Sequence, residues 1–254
     1  MPKIEIRNRM VNYVQKGVGI DILFLHGWGQ NIEMMLPIAE HFEKDFRVTV
    51  LDFQGHGESE EPETSWSVQD FADALHEFCE KLKVENPIIV GHSFGCRVAF
   101  HYAKDHPVRK MVLTGAAGLK PKRGLDWYAK TYTYKMGKKL IQLTGNKELE
   151  EKLKRNSGSS DYRNATGIMR ETFVKVVNDD VRDLLPEMTM PTLLIFGEND
   201  TATPVEDGKF MEKQMKDAAL IIFEQDDHYA YWHQSVRFNR ILDAFFEKER
   251  GEKA

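Results

Sequence analysis

A chain of 254 residues, 30% charged and 41% apolar, has the size and balance of one large globular domain, or of one domain with a modest insertion. Its net charge of −5 excludes a general nucleic-acid binder, which needs a basic surface, and Cys79 and Cys96 supply no disulfide framework and read as small buried apolar residues. Met1-Pro2-Lys3-Ile4-Glu5 has no apolar signal core, and no stretch reaches the roughly 18 apolar residues of a membrane helix. The expectation is a soluble, cytoplasmic protein, monomer or homodimer, with no nucleic-acid or membrane partner.

Ile4 to Tyr13 alternates loosely and reads as a β-hairpin at the antiparallel edge of a sheet. Ile20 to Leu25 is a core strand, Ile32 to Phe42 has helical spacing, and Phe46 to Leu51 is the next strand. Ser67-Val68-Gln69-Asp70 has the form of a capping box, in which the serine accepts from an orphan amide at a helix start. Phe71, Leu75, Phe78 and Leu82 then repeat at helical spacing. Ile88-Ile89-Val90 is a short strand, Val98 to Ala103 a helix, and Met111-Val112-Leu113 a further strand. This alternation implies parallel βαβ units and a three-layer α/β sandwich.

The alternation stops after Gly118. Residues 119–186 read as mainly helical, broken at Ser157-Gly158-Ser159-Ser160, and are taken as a lid inserted between core segments 1–118 and 187–254. Strand Thr192 to Phe196, helix Val205 to Met215, strand Ala219 to Phe223 and a C-terminal helix that includes Phe238 to Phe246 complete the core. There is no internal repeat or low-complexity tract.

Polar residues follow the carboxyl ends of four apolar strands: His26-Gly27-Trp28-Gly29, Gly91-His92-Ser93-Phe94-Gly95, Gly197-Glu198-Asn199-Asp200 and Glu224-Gln225-Asp226-Asp227-His228. In an open parallel sheet that edge is where ligands bind. Strand, sharp turn and helix with serine at the apex expose a hydroxyl, and flanking glycines let strand and helix approach closely. A serine hydroxyl is a weak nucleophile that needs a base in reach and a third group to orient that base. Ser93, His228 and Asp200 fit those roles. His233 is a competing base, expected to start the final helix and point elsewhere. Asp226 and Asp227 are alternative acids; as sequence neighbours of His228 they reach its distal ring face poorly, and they are expected to be solvated.

The Gly-x-Ser-x-Gly elbow, the His-Gly loop, the order serine–acid–histidine and Asp52-Phe53-Gln54-Gly55-His56-Gly57-Glu58-Ser59 together resemble the α/β-hydrolase superfamily over nearly the whole length. The resemblance implies the α/β-hydrolase three-layer sandwich, with a mostly parallel sheet and a helical lid. It also implies a serine hydrolase of carboxylic esters of small to medium acyl groups, acting through an acyl-enzyme. Its oxyanion hole would be the backbone N–H groups of Trp28 and Phe94, each such donor being worth about 10²–10³ in rate. Serine at the elbow disfavours the dehalogenase and epoxide-hydrolase branches, which use aspartate there. Asp226-Asp227 departs from the small residues usual before the histidine.

Trp28, Phe94, Trp127, Tyr128 and Tyr132 are candidate substrate contacts. Between Lys120 and Arg155 eleven basic residues stand against four acidic ones; this reads as a solvated helical face, with attraction of anionic substrates as the sharper alternative. No metal-ligand or dinucleotide motif appears, so neither metal nor cofactor is expected. Lactone opening and C–C bond hydrolysis use the same three residues, and a non-catalytic ligand-binding protein is the rival from another class.

Overall fold

The uninterrupted apolar runs become the strands of one eight-stranded sheet in the computed structural model, which describes residues 1–120, 125–144, 146, 148–149, 153 and 159–250. Strands β1 (Lys3–Ile6) and β2 (Arg9–Lys16) form the antiparallel hairpin, joined by Arg7 and Asn8, both with positive φ. Two such residues match the turn to the right-handed twist of the strands. β2 then pairs antiparallel with β4 (Arg47–Leu51). The remaining strands are parallel: β3 (Asp21–Leu25), β5 (Ile88–His92), β6 (Lys110–Thr114), β7 (Thr192–Gly197) and β8 (Ala218–Phe223). Their order across the sheet is β1-β2-β4-β3-β5-β6-β7-β8.

Both faces of the sheet are covered, which is why the central strands are apolar throughout. In β3, Leu23 and Leu25 join one core with Phe71, Phe78 and Phe100, while Ile22 and Phe24 join the other with Ile38, Phe42 and Phe238. The first face carries helices α2 (Val68–Leu82) and α3 (Phe94–Asp105); the second carries α1 (Leu36–Phe42) and, near the C-terminus, α9 (Ser235–Phe245). Burying each large apolar side chain contributes about 1.5–3 kcal/mol. The Ser67–Asp70 capping box forms in both directions.

The expected helix over 32–42 divides into a 3₁₀ turn, Ile32–Met34, and α1. Pro37 lacks an N–H and fits only a first helical turn, so a new helix begins there. α7 (Val205–Gln214) lies between β7 and β8. The C-terminal helix begins at Ser235, and His233, expected to start it, instead ends the short α8 (Ala230–His233), the two separated by the non-helical Gln234.

Between β6 and β7 lie α4 (Leu125–Thr144), α5 (Ser160–Asn164) and α6 (Gly167–Val177), with no strand among the described residues. Ser159 caps α5, its hydroxyl accepting from Tyr162 N at 3.3 Å; Ser157 and Gly158 of the expected break lie outside the described residues. The insertion leaves and returns beside the carboxyl end of β6, where Val181 N donates to the Gly118 carbonyl at 3.0 Å, and the chain then crosses to enter the parallel β7 at its amino end. α6 is tied to the loop before α2: Trp66 N donates to Thr172 Oγ1 at 3.0 Å and Lys175 Nζ to the Ser65 carbonyl at 2.5 Å. Met169 fills the space that a Cβ at Gly55 would take, and Gly55 also has φ +78°. The returning chain is anchored at Asp179, whose carbonyl accepts from Arg97 at 2.8 Å and whose carboxylate lies 3.1 Å from His101 Nε2. Val181 and Leu185 are already fully buried in the core. Among the described residues no helix is long and apolar enough to cross a membrane.

Candidate active site

From β3 the chain moves outward to β4, then crosses back to add β5 on the other side. The carboxyl ends of β3 and β5 therefore flank a topological switch point, where a crevice opens. Ser93 stands at that point with φ 50° and ψ −108°, between β5 and α3. A Cβ on Gly95 would collide with the Leu25 carbonyl, so the close crossing of α3 over β3 requires glycine there. The strained backbone holds Ser93 at the crest of the turn.

His228 reaches the same place from the loop after β8. Ser93 N donates to the Thr114 carbonyl at 3.1 Å. The next residue, Gly115, has φ +50°, and a Cβ there would sit 3.0 Å from His228 Nδ1. His92 Nε2 lies 3.0 Å from the His228 carbonyl, with the two rings 4.7 Å apart. The imidazole thus lies against residues that flank Ser93. Among the described residues no hydrogen bond joins Ser93 Oγ to the ring; such bonds are often long until substrate is bound.

Asp200, 4% exposed, lies beyond the ring: His228 Nδ1 is 2.7 Å from its Oδ2. Its Oδ1 accepts from Ala202 N at 2.8 Å and Thr203 N at 2.9 Å, and its Oδ2 from Thr203 Oγ1 at 2.6 Å. Burial opposes the charge, but the bonds from His228 and Thr203 outweigh it and hold the carboxyl below the usual aspartate range. The carboxylate is therefore a fixed acceptor for an Nδ1 proton.

Asp226 and Asp227 do not compete for that ring. Asp226 is buried rather than solvated. It accepts from His233 Nδ1 at 2.7 Å and Gln234 Nε2 at 2.9 Å, turned away from His228. Its burial is offset by these donors, which keep it ionised, and the same bond raises the basicity of His233. Asp227 is exposed and accepts from Tyr229 N at 2.9 Å. Asp226, Asp227 and His233 are also the group compact enough to hold a metal among the described residues, but the Asp226–His233 ion pair and the backbone amide bonds satisfy it internally.

The loop after β3 is braced by histidine. Phe53 N donates to His26 Nε2 at 3.0 Å, so the proton sits on Nδ1, which donates to the Gly27 carbonyl at 2.7 Å. Burial pushes His26 down to about 4, keeping it neutral. Gly27 N donates to Gln30 Oε1 at 2.8 Å. Among the described residues the N–H groups of Trp28 and Phe94 have no protein acceptor. Phe94 opens α3, where amides are unpaired and the dipole favours negative charge.

Aromatic rings wall this region. Trp28 lies 5.4 Å from Phe94, 5.1 Å from Phe173 on α6 and 4.8 Å from His56. Burial, with His26 nearby, pushes His56 down to about 3, so the wall is uncharged. Tyr132, on α4, is 66% exposed. Trp127 and Tyr128 lie outside the residues whose side chains are described. Sequence reasoning did not find His56, His92 or Thr203 as site residues. Thr203's signal is its position three residues after the acid; Phe173 was visible only as one aromatic among several in the insertion.

A family model described as the α/β hydrolase fold matches residues 22–234. Pimeloyl-(acyl-carrier protein) methyl ester esterase of Vibrio vulnificus is 26% identical over 94% of this chain and 98% of its own. The 2-hydroxy-6-oxo-6-phenylhexa-2,4-dienoate hydrolase of Comamonas testosteroni is 25% identical over 96% of this chain and 93% of its own. Among solved structures, an esterase from Exiguobacterium antarcticum superposes with a TM-score of 0.75 at 22% identity, over 96% of this chain and 98% of that one.

Proposed function

The chain belongs to the α/β-hydrolase family, and on that premise we propose that it is a serine hydrolase of carboxylic esters of small to medium acyl groups. Ser93 Oγ attacks the acyl carbon while His228 Nε2 takes its proton. Asp200 holds the Nδ1 proton and stabilises the imidazolium. The N–H groups of Trp28 and Phe94 receive the developing oxyanion. The alcohol leaves with the proton from His228, giving an acyl-enzyme, and a water deprotonated by His228 then releases the acid. Residues 119–186 act as the lid, and no cofactor is needed.

The observation that carries this reading is the 2.7 Å His228–Asp200 bond, on a ring whose backbone carbonyl is gripped by the residue next to Ser93. The acyl range is supported by the packing of Trp28 against both Phe94 and Phe173, which sets aromatic rings beside the proposed oxyanion donors. The esterase relative at 26% identity supports the ester class.

A fluorophosphonate probe should add one adduct by intact mass to the wild type and none to Ser93→Ala. A panel of p-nitrophenyl esters from acetate to dodecanoate, lactones and dienone acids should show turnover of the short esters, lost in the same variant. Turnover of dienone acids alone would favour the C–C hydrolase reading that the Comamonas relative suggests. Lactones alone would favour a lactonase. No labelling and no turnover by folded protein would leave a ligand-binding protein.

A further inference from the structure

We propose that Thr203 is a positioning residue of the Ser93–His228–Asp200 set, its hydroxyl closing a hydrogen-bonded triangle that selects the His228 tautomer. The inference rests on the function proposed above. Three atoms form the triangle: Thr203 Oγ1 to Asp200 Oδ2 is 2.6 Å, Asp200 Oδ2 to His228 Nδ1 is 2.7 Å, and His228 Nδ1 back to Thr203 Oγ1 is 3.2 Å. Thr203 is buried, and its own N–H donates to the other carboxylate oxygen at 2.9 Å. One residue therefore grips both oxygens of the acid.

Proton accounting gives the triangle a direction. A hydroxyl has one proton to donate, and a carboxylate is a far better acceptor than a neutral ring nitrogen, since charge-assisted bonds are roughly twice as strong. The Thr203 proton thus goes to Oδ2, and the hydroxyl's lone pairs are left facing Nδ1. With the ring proton on Nδ1, both Oδ2 and Oγ1 accept it. With the proton on Nε2, the Nδ1 lone pair faces two oxygen atoms and nothing bridges them. The hydroxyl adds to the preference for Nδ1–H and leaves Nε2 bare, as proton transfer from Ser93 requires. The other titratable groups felt here are Asp207 on α7, which interacts with Asp200, Asp161 on α5, which interacts with His228, and His92, which interacts with both and is kept neutral by burial. None is hydrogen-bonded to the three atoms of the triangle among the described residues.

Thr203→Val keeps the side-chain shape and removes the hydroxyl; Thr203→Ser keeps the hydroxyl and removes a methyl. The expected result is a fall in kcat/KM of about 10-fold for Thr203→Val, carried by kcat. The acid limb of its pH profile should move to lower pH, because the imidazolium loses one of the two acceptors of its Nδ1 proton. Thr203→Ser should stay within about 2-fold of wild type, since its bond to the acid survives. Packing alone would move neither the pH profile nor the kcat–KM split. A Thr203→Val profile superimposable on wild type, or an equal loss in Thr203→Ser, overturns the proposal. If Thr203→Val does not fold, proton NMR of the wild type decides: a slowly exchanging Thr203 hydroxyl proton with cross-relaxation to the downfield His228 Nδ1 proton is expected, and its absence overturns the triangle. Fluorophosphonate labelling of Ser93 separates the two failures. An unlabelled wild type sinks the hydrolase reading and this inference with it; a labelled wild type with an indifferent Thr203→Val sinks only the inference.

Discussion

Asp200→Asn removes one charge while keeping the size and shape of the side chain, and the surroundings dictate how the amide must sit. Two backbone N–H groups, from Ala202 and Thr203, point at Oδ1 from 2.8 and 2.9 Å. Only the amide oxygen satisfies them, so the NH₂ group must occupy the Oδ2 position, 2.7 Å from His228 Nδ1 and 2.6 Å from Thr203 Oγ1. The NH₂ then donates to Nδ1, which forces the ring proton onto Nε2, the atom that has to accept from Ser93. The base is lost through the wrong tautomer although the geometry survives. The expected fall in kcat is about 10⁴, or about 5.5 kcal/mol of transition-state stabilisation, with KM nearly unchanged. The folded protein loses only about 1–3 kcal/mol, because the two backbone bonds persist. Steady-state kinetics on p-nitrophenyl acetate beside urea denaturation separates the two effects. Asp226→Asn, whose carboxylate serves His233 and Gln234, should leave kcat/KM within about 3-fold, since it orders no reacting group. An Asp200→Asn enzyme keeping a tenth of its activity, or an Asp226→Asn enzyme losing a thousandfold, would refute the assignment of the acid.

Phe173→Ala should cost about 3–5 kcal/mol in stability by urea denaturation, as a buried aromatic truncation. It should also raise kcat/KM for p-nitrophenyl octanoate relative to acetate by about 10-fold, through the space opened beside Trp28; an unchanged ratio would show that this wall does not limit the acyl group. Stability should fall with acid in a defined window. Burial depresses His26 to about 4 and His56 and His92 to about 3 in the folded state, against about 6.5 unfolded. The unfolded chain then binds more protons, so stability is fully present above pH 6.5 and is lost as pH falls toward those folded values, by about 1.4 kcal/mol per unit for each histidine. Urea midpoints from pH 7.5 to 4.5 should show this slope, and His56→Gln should flatten it by about one proton; a slope unaffected by that variant would mean His56 does not stay neutral.

Much of the candidate site was legible because it is encoded within short stretches. Gly91 to Gly95 specify their own turn: the serine takes positive φ, and the Cβ-free Gly95 lets α3 cross β3. Asp200 and His228 could be placed at one edge because each follows an apolar strand, and parallel strands deliver their carboxyl ends to one edge. The capping box at Ser67 was readable for the same local reason. Pro37 moved the start of α1, because a single backbone constraint overrides apolar periodicity there.

Other assignments depended on atoms far apart in the chain. Asp226 looked solvated from its composition, yet the loop after β8 folds it onto His233 and Gln234 and leaves the face of His228 to Asp200, 28 residues away. His92 braces the His228 backbone from 136 residues away, and Phe173 meets Trp28 only because α6 docks on the loop before α2. By itself the sequence determined the strands, the elbow and the residue types at the sheet's edge, since propensity, periodicity and glycine sterics act over a few residues. Only the tertiary structure decided which carboxylate faces the imidazole, which aromatics form the wall and that Thr203 joins the triangle, because hydrogen-bond pairing and ring packing depend on distances that the crossover from β4 to β5 and the docking of the insertion create.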